Sequence, residues 1–315
     1  MIKIGIIGVG SMGKNHLRVI LELNNYYEVM GFFDTDKERS ELISKTYGVD
    51  SYNSAEELMD KVDAIIIATP ASLHYELGLL AAKKRKHILM EKPVCLEVEE
   101  AKNLIEKCKG LTCLVSHVER YNPAVYELSD LLKNEDIVGI EIHRCSPYDP
   151  RIFDADVIED LMIHDIDILI NEINPGNIKK IQSFGNSKFS KKYFDYVNTI
   201  IEFDNGIICS LVASRSTQNK IRTINIHTKN GYITSDMLNK KLTITRKTSY
   251  KLYENQKYKQ DNIIETLMLP NDEPLKAEYT DFYNCITNNL IPRTNLETAT
   301  KSLELCKIIQ EKTGE

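Results

Sequence analysis

The sequence predicts an α/β protein: a doubly wound parallel sheet over residues 1–118, then a second α/β domain over 119–315 whose strands form a mostly antiparallel sheet. Three observations carry this expectation. At 315 residues the chain is long enough for two domains of ordinary size. Its first third alternates short β-branched runs with amphipathic helical segments, the rhythm of parallel strands joined by crossover helices. Its later part carries consecutive strands separated by Asn-Gly dipeptides, which favour tight hairpin turns.

The apolar runs of the first part are Ile4 to Ile7, Val29 to Phe33, Ala64 to Ala68, His87 to Met90 and Cys113 to Val115. Between them Leu17, Ile20 and Leu21 fall at helical spacing, as do Leu77, Leu80 and Ala81, and then Leu104, Ile105 and Cys108. Ser54 with Glu57 reads as a capping box opening a further short helix. After about Pro123 the order becomes helix, strand, and a buried helix near 160–171. Asn205-Gly206 then separates Val197 to Phe203 from Ile207 to Ala213, and Asn230-Gly231 separates Thr223 to Thr228 from Tyr232 to Ser235. The polar, tyrosine-rich stretch Arg246 to Asn262 reads as an exposed ribbon or loop. Thr294 and Glu297 form a second capping box before an amphipathic helix of Leu296, Ala299, Leu303, Cys306 and Ile309.

Composition narrows the function classes. With 40 Lys and Arg against 46 Asp and Glu, the net charge of −6 disfavours a constitutive nucleic-acid binder, which needs a clustered basic surface. The longest wholly apolar stretches fall far short of the roughly 20 residues of a membrane span, and the N-terminal run leads into glycines, not into a signal-peptide cleavage pattern. Seven cysteines without a C-x-x-C pair point to reduced, buried thiols in a cytoplasmic protein and not to structural zinc.

Gly8-Val9-Gly10-Ser11-Met12-Gly13 fits G-x-G-x-x-G directly after the first apolar run and at the opening of a helix. In that context the glycines allow a tight turn and close backbone approach to a pyrophosphate, which the helix N-terminus then faces. Asp34 ends the second run, where its carboxylate can accept from an adenosine ribose and would repel a 2′-phosphate, favouring NAD over NADP. Thr69, Pro70 and His74 lie at the next strand end, where ligands gather, as does Glu91-Lys92-Pro93 after the fourth run. For His74 the alternative is a locally satisfied helix N-terminal residue.

In the second domain, Asp160, His164, Asp167 and Asn171 project within about 60° of one another on an ideal helix. An Asp four residues before a His can orient its imidazole and stabilise the charged form. A helix-capping Asp160 with a core histidine is the alternative. One helix supplies too few convergent ligands for a metal site, so no metal is expected.

Taken together, Gly8 to Gly13, Asp34, Thr69-Pro70, Glu91-Lys92-Pro93 and Asp160 with His164 resemble the glucose-fructose oxidoreductase/inositol dehydrogenase (Gfo/Idh/MocA) family over essentially the whole chain. The resemblance implies a Rossmann domain followed by a large open-sheet α/β domain, nicotinamide held in the cleft between them, proton transfer by Lys92 and the Asp160/His164 pair, and homo-oligomers, dimers or tetramers, built through the large sheet. A narrower likeness, to UDP-N-acetylglucosamine 3-dehydrogenases and related sugar-nucleotide dehydrogenases, lies in the segment from Ser116 through Arg120-Tyr121-Asn122 to Val125, and in Pro147 to Arg151. Where that branch has glycine before the histidine, this chain has Ser116.

That likeness implies an NAD-dependent dehydrogenase that takes a hydride from a sugar carbon, such as C3 of UDP-N-acetylglucosamine, while a positioned base takes the hydroxyl proton. His164 is the candidate base and Lys92 its partner at the same oxygen. Arg120 and Arg151 are candidate diphosphate partners, since guanidinium forks two phosphate oxygens, with structural ion pairs as the alternative. Tyr121 and Asn122 are candidate sugar contacts or the start of a helix. The rival readings are a free-sugar or inositol dehydrogenase and a non-catalytic NAD-binding sensor or regulator; the joint presence of Lys92, Asp160 and His164 argues against the sensor.

Overall fold

The computed structural model describes residues 1–149, 156–189, 192–252 and 258–314. Strands β1 (Ile2–Ile7), β2 (Tyr27–Phe33), β3 (Ala64–Ile67), β4 (His87–Glu91) and β5 (Cys113–Ser116) form an all-parallel sheet in the order 2-1-3-4-5. A parallel bridge from Phe32 to Ser51 continues it beyond β2. Counting that bridge as a sixth strand gives 3-2-1-4-5-6, the order of dinucleotide-binding sheets. The strands are buried on both faces, as in β3, where all four residues are buried, because helices cover both sides.

Those helices are α1 (Ser11–Glu22), α2 (Lys37–Tyr47), α3 (Ala55–Met59), α4 (His74–Lys83) and α5 (Val98–Lys107). Their starts follow local chemistry. Asp36 accepts from the Arg39 amide at the head of α2, and Ser54 accepts from the Glu57 amide at the head of α3. Glu57 returns its carboxylate to the Asn53 amide, one residue before the expected partner.

The second sheet has eight strands: β6 (Ile137–Cys145), β7 (Ile178–Asn186), β8 (Tyr196–Phe203), β9 (Ile208–Ser214), β10 (Ile221–Thr228), β11 (Gly231–Asp236), β12 (Lys241–Leu252) and β13 (Tyr258–Met268). They run in the order 13-12-11-10-6-9-8-7, and only the β6–β9 pair is parallel. The β8–β9 and β10–β11 hairpins turn at the two Asn-Gly signals, with Gly206 at φ +88°. Of the ribbon expected in Arg246 to Asn262, residues 246–252 belong to β12 and 258–262 to β13, which pair antiparallel, and 253–257 lie outside the described residues. Inward residues alternate along each strand, such as Ile140 and Ile142 or Val197 and Ile201, and pack against α6 (Pro123–Leu132) and α7 (Ile163–Ile168). Turns of π-winding, Ile158–Met162 and Leu169–Ile173, flank α7.

The chain then forms α8 (Pro274–Asn288) and α9 (Leu296–Gly314). The two compact units are residues 1–121 with 273–303, and residues 122–272 with 304–315. This corrects the expected unbroken second domain over 119–315. Leu275, Tyr279 and Phe282 of α8 join the core built on β1 and α1, and Leu296, Ala299 and Leu303 join the core around α5. The second capping box is also corrected: Asn295, and not Thr294, accepts from the Thr298 amide at the head of α9. Among the described residues no helix is long and apolar enough to cross a membrane.

Candidate active site

The turn from β1 into α1 is shaped by backbone proximity. Gly8 has φ +87°, and a Cβ there would stand 2.6 Å from the Ala68 carbonyl oxygen. A Cβ on Gly13 would stand 2.0 Å from the Gly8 oxygen, whereas one on Gly10 would meet nothing within 4 Å. Gly10 precedes α1 without a side-chain cap, and no acidic residue lies in the first turn, so that turn keeps the positive end of the helix dipole available to an anion. Ser11 and Met12 are exposed on it.

Asp34 is held beside this turn. Its carboxylate accepts from the Val9 amide at 2.8 Å and the Asp36 amide at 2.9 Å, and pairs with Arg39 at 3.1 Å. Burial works against its charge, but the two amides and the Arg39 guanidinium outweigh burial and hold its pKa below the ordinary value. At the end of β3 the Thr69 hydroxyl oxygen is buried without a hydrogen-bond partner. An uncapped helix, open space above Gly10, a fixed carboxylate and an orphaned hydroxyl together fit a dinucleotide.

Glu91, Lys92 and His74 lie at the neighbouring strand end. His74 is buried, with Nδ1 2.7 Å from the Pro93 carbonyl and Nε2 3.0 Å from the Thr69 carbonyl. A neutral ring has one N–H to give, so His74 donates to one of these two carbonyls and lies between the Thr69 loop and the Glu91-Lys92-Pro93 turn. Burial keeps its pKa low. Glu91 is engaged within the fold as well: Oε1 faces His16 Nε2 at 2.8 Å and Oε2 accepts from the Lys92 amide at 3.2 Å. Behind it, Ser116 donates to Glu278 Oε2 at 2.8 Å, a bond that the glycine of the related branch could not make.

In the other unit, the helix carrying Asp160 and His164 departs from the ideal winding assumed for the sequence. Asp160 lies in the first π-turn and His164 in α7. A π-turn places more residues per turn than an α-helix, and such turns recur at functional sites. Arg215 donates to Asp160 Oδ2 at 3.3 Å, Asn171 donates to Asp167 Oδ1 at 2.8 Å, and Arg144 forks onto Asp165 Oδ1 at 2.8 Å in a fully buried ion pair. His164 is half-buried.

Three expected substrate contacts take structural places. Arg120 is buried and donates to Thr298 at 3.2 Å. The Tyr121 hydroxyl donates to Asp281 at 2.7 Å, with its pKa raised by burial. Asn122 caps α6, accepting from the Ala124 amide at 3.0 Å and donating to the Met237 carbonyl at 3.1 Å. These contacts share one cause: a buried polar group must find a partner, and each has one in its own unit. Arg151 lies outside the described residues. Sequence reasoning missed His16, Tyr279, Glu278, Arg144 and Arg215. Two had a signal, His16 on the apolar face of α1 and Arg144 in phase with inward Ile140 and Ile142.

Comparison with known proteins accords with these features. Residues 2–118 match the family model described as "Oxidoreductase family, NAD-binding Rossmann fold", and residues 138–234 match "GFO/IDH/MocA C-terminal domain". The UDP-N-acetylglucosamine 3-dehydrogenase of Acidithiobacillus ferrooxidans is 29% identical over 286 residues, covering 90% of this chain and 88% of the relative. A solved structure of that enzyme superposes with a TM-score of 0.89 at 26% identity, covering 99% of this chain and 97% of the other. The scyllo-inositol 2-dehydrogenase (NAD(+)) of Bacillus subtilis is 26% identical, covering 96% of this chain and 92% of its own.

Proposed function

Because the chain belongs to the Gfo/Idh/MocA family of NAD-binding oxidoreductases, we propose that it oxidises a secondary hydroxyl of a nucleotide-linked sugar, UDP-N-acetylglucosamine at C3 being the substrate of choice. The observation that carries this reading is full-length likeness to an enzyme of that name; the presence of Lys92, Asp160 and His164, to which we assign proton transfer, supports it.

The cofactor supplies the hydride acceptor. Gly8, Gly10 and Gly13, with exposed Ser11 and Met12, present the phosphate turn; Asp34 takes the ribose, and Thr69 and Pro70 line the approach. The ionised Asp34, already engaging Arg39, supports NAD over NADP. Proton transfer from the hydroxyl is assigned to His164, with Asp160 stabilising its charged form, and to Lys92. Arg151 is assigned to the diphosphate. The engagement of Arg120 within the fold favours a second reading, a free-sugar or inositol dehydrogenase, to which the Bacillus subtilis relative lends support. Exposed Phe184, Tyr196, Ile200 and Ile208, on β7 to β9, support a homo-oligomer built through the large sheet, and seven free thiols support a cytoplasmic location.

The test is NAD reduction with a panel of UDP-sugars, free sugars and inositols. Activity confined to a UDP-N-acetylhexosamine is expected, and Lys92→Ala or His164→Ala should each lose at least about 10²-fold in turnover with NAD affinity nearly intact. Activity on free polyols alone would overturn the nucleotide-sugar reading; full turnover in both variants would overturn the site.

A further inference from the structure

His16 occupies a position on α1 where an apolar residue would be expected. A buried imidazole left unpaired costs roughly 1–3 kcal/mol, yet here both nitrogens are engaged. Nδ1 lies 2.8 Å from the Tyr279 hydroxyl of α8, and Nε2 lies 2.8 Å from Glu91 Oε1 at the end of β4. Burial drives the Tyr279 pKa far up, so its hydroxyl keeps its proton. Because a carboxylate only accepts, Nε2 of His16 donates to Glu91. The other Glu91 oxygen receives the backbone amide of Lys92. Burial opposes the charge of Glu91, but the His16 bond, aided by the Lys92 charge, outweighs it and holds the carboxyl pKa below its usual value. Tyr27 anchors the far end, donating to the Tyr279 carbonyl at 2.6 Å.

We propose that His16 is a positioning residue for the reaction: braced by Tyr279, it orients the Glu91 carboxylate, and that carboxylate holds the backbone of Lys92. The proposal rests on the reading of Lys92 as a proton-transfer residue. Besides His16, Tyr279 and Lys92, the titratable groups that face Glu91 are Glu278 of α8 and His74 at the head of α4. Burial favours the neutral form of each, raising the pKa of Glu278 and lowering that of His74. The chain runs through three elements, α1, β4 and α8, and its first member stands three residues after the last glycine of the phosphate turn. One helix thus presents the turn to the cofactor and braces the lysine.

The experiment compares the full-length wild type with Glu91→Gln, His16→Leu and His16→Gln. Acylation of Lys92 by acetic anhydride at pH 8 is read by peptide mass spectrometry, and NADH affinity by fluorescence. Glu91→Gln removes the charged acceptor shared by His16 and the Lys92 amide, so the rate of Lys92 labelling should change several-fold, with NADH affinity within about twofold of wild type. His16→Leu should move labelling in the same direction, because the carboxylate then lacks its donor. His16→Gln, which can still donate to Glu91, should return it toward wild type. Wild-type labelling in Glu91→Gln would overturn the proposal, whether or not His16→Leu folds, and so would failure of His16→Gln to differ from a folded His16→Leu. Turnover separates this from the functional reading. Unchanged turnover in Lys92→Ala would remove the catalytic role of the lysine, while the labelling pattern would still report the chain.

Discussion

Alanine substitutions at Gly13 and Gly10, three residues apart in one motif, should have different consequences. On helix propensity alone, Gly13→Ala should stabilise α1 by about 1 kcal/mol. The new methyl would stand 2.0 Å from the Gly8 oxygen, about 1 Å inside the shortest tolerable contact, and the obstructing atom is backbone. Relief requires α1 to move away from the turn, yet α1 is tied there by the Lys14 amide on the Gly10 carbonyl at 3.0 Å. Overpacking on this scale costs about 3 kcal/mol, so the clash outweighs the propensity gain, leaving a net loss of about 2 kcal/mol. For a unit of about 150 residues this lowers the melting temperature by roughly 4–8 °C. Because a shift of 1 Å spoils phosphate contacts, NADH affinity should fall by about 10²-fold. Gly10→Ala meets nothing within 4 Å and requires no unusual φ, so its melting temperature should hold within about 1 °C. Its methyl enters the space assigned to the pyrophosphate, so affinity alone should fall. Differential scanning calorimetry and NADH fluorescence titration read the two effects separately. A Gly13→Ala protein as stable as wild type, or a Gly10→Ala protein with undiminished affinity, would refute the assignment of these glycines.

Asp34→Ser should raise NADPH affinity about tenfold or more, since it removes the carboxylate that repels a 2′-phosphate and releases Arg39 to meet one; unchanged NADPH binding would exclude Asp34 from cofactor choice. The depressed pKa of Asp34 also contributes stability above the ordinary carboxyl value, lost as pH falls through the depressed one. Glu278 carries the opposite sign. Burial raises its pKa, so the folded state binds a proton that the unfolded state releases above about pH 4.3, and stability falls by up to about 1.4 kcal/mol per pH unit as pH rises toward the raised value. Glu278→Gln should flatten that decline in urea unfolding between pH 5 and 8, and parallel profiles for the two proteins would contradict it. Asp165→Ala should cost about 3–5 kcal/mol by removing the carboxylate that the buried Arg144 guanidinium meets, and Arg144→Met with Asp165→Leu should recover most of it.

The parts of the fold legible in the sequence are those governed by local periods. Alternation marked β8 to β11 and helical spacing marked α1, α4 and α5, because burial of one face imposes a period that a single window contains. The G-x-G-x-x-G turn was legible for a related reason: its steric demand involves glycines five residues apart. The domain boundary was not. Nothing local in Leu275, Tyr279 and Phe282 says that their apolar face completes the core of β1, more than 250 residues earlier in the chain. The ideal helical wheel also failed to represent the segment carrying Asp160 and His164, because π-turns are set by packing and leave the apolar pattern nearly unchanged.

What escaped the sequence shares a physical origin. His16 meets Glu91 across 75 residues and Tyr279 across 263, and Ser116 meets Glu278 across 162. Such partners are unconstrained by period or propensity; they are chosen because a buried donor without an acceptor is costly, and the fold brings only a few candidates within reach. The same rule explains why Arg120, Tyr121 and Asn122 looked like ligand contacts. Their residue types suit substrate recognition, but a polar side chain in a dense interior satisfies itself on whatever lies nearest, here Thr298, Asp281 and the head of α6. The consequence reaches the chemistry. Two carboxyls buried near one another, Glu91 and Glu278, are driven apart in ionisation because only Glu91 is given a histidine donor and the Lys92 amide. The charge that remains lies next in sequence to the lysine assigned to proton transfer, so local charge at the reacting end of β4 is decided by contacts no window of the sequence contains.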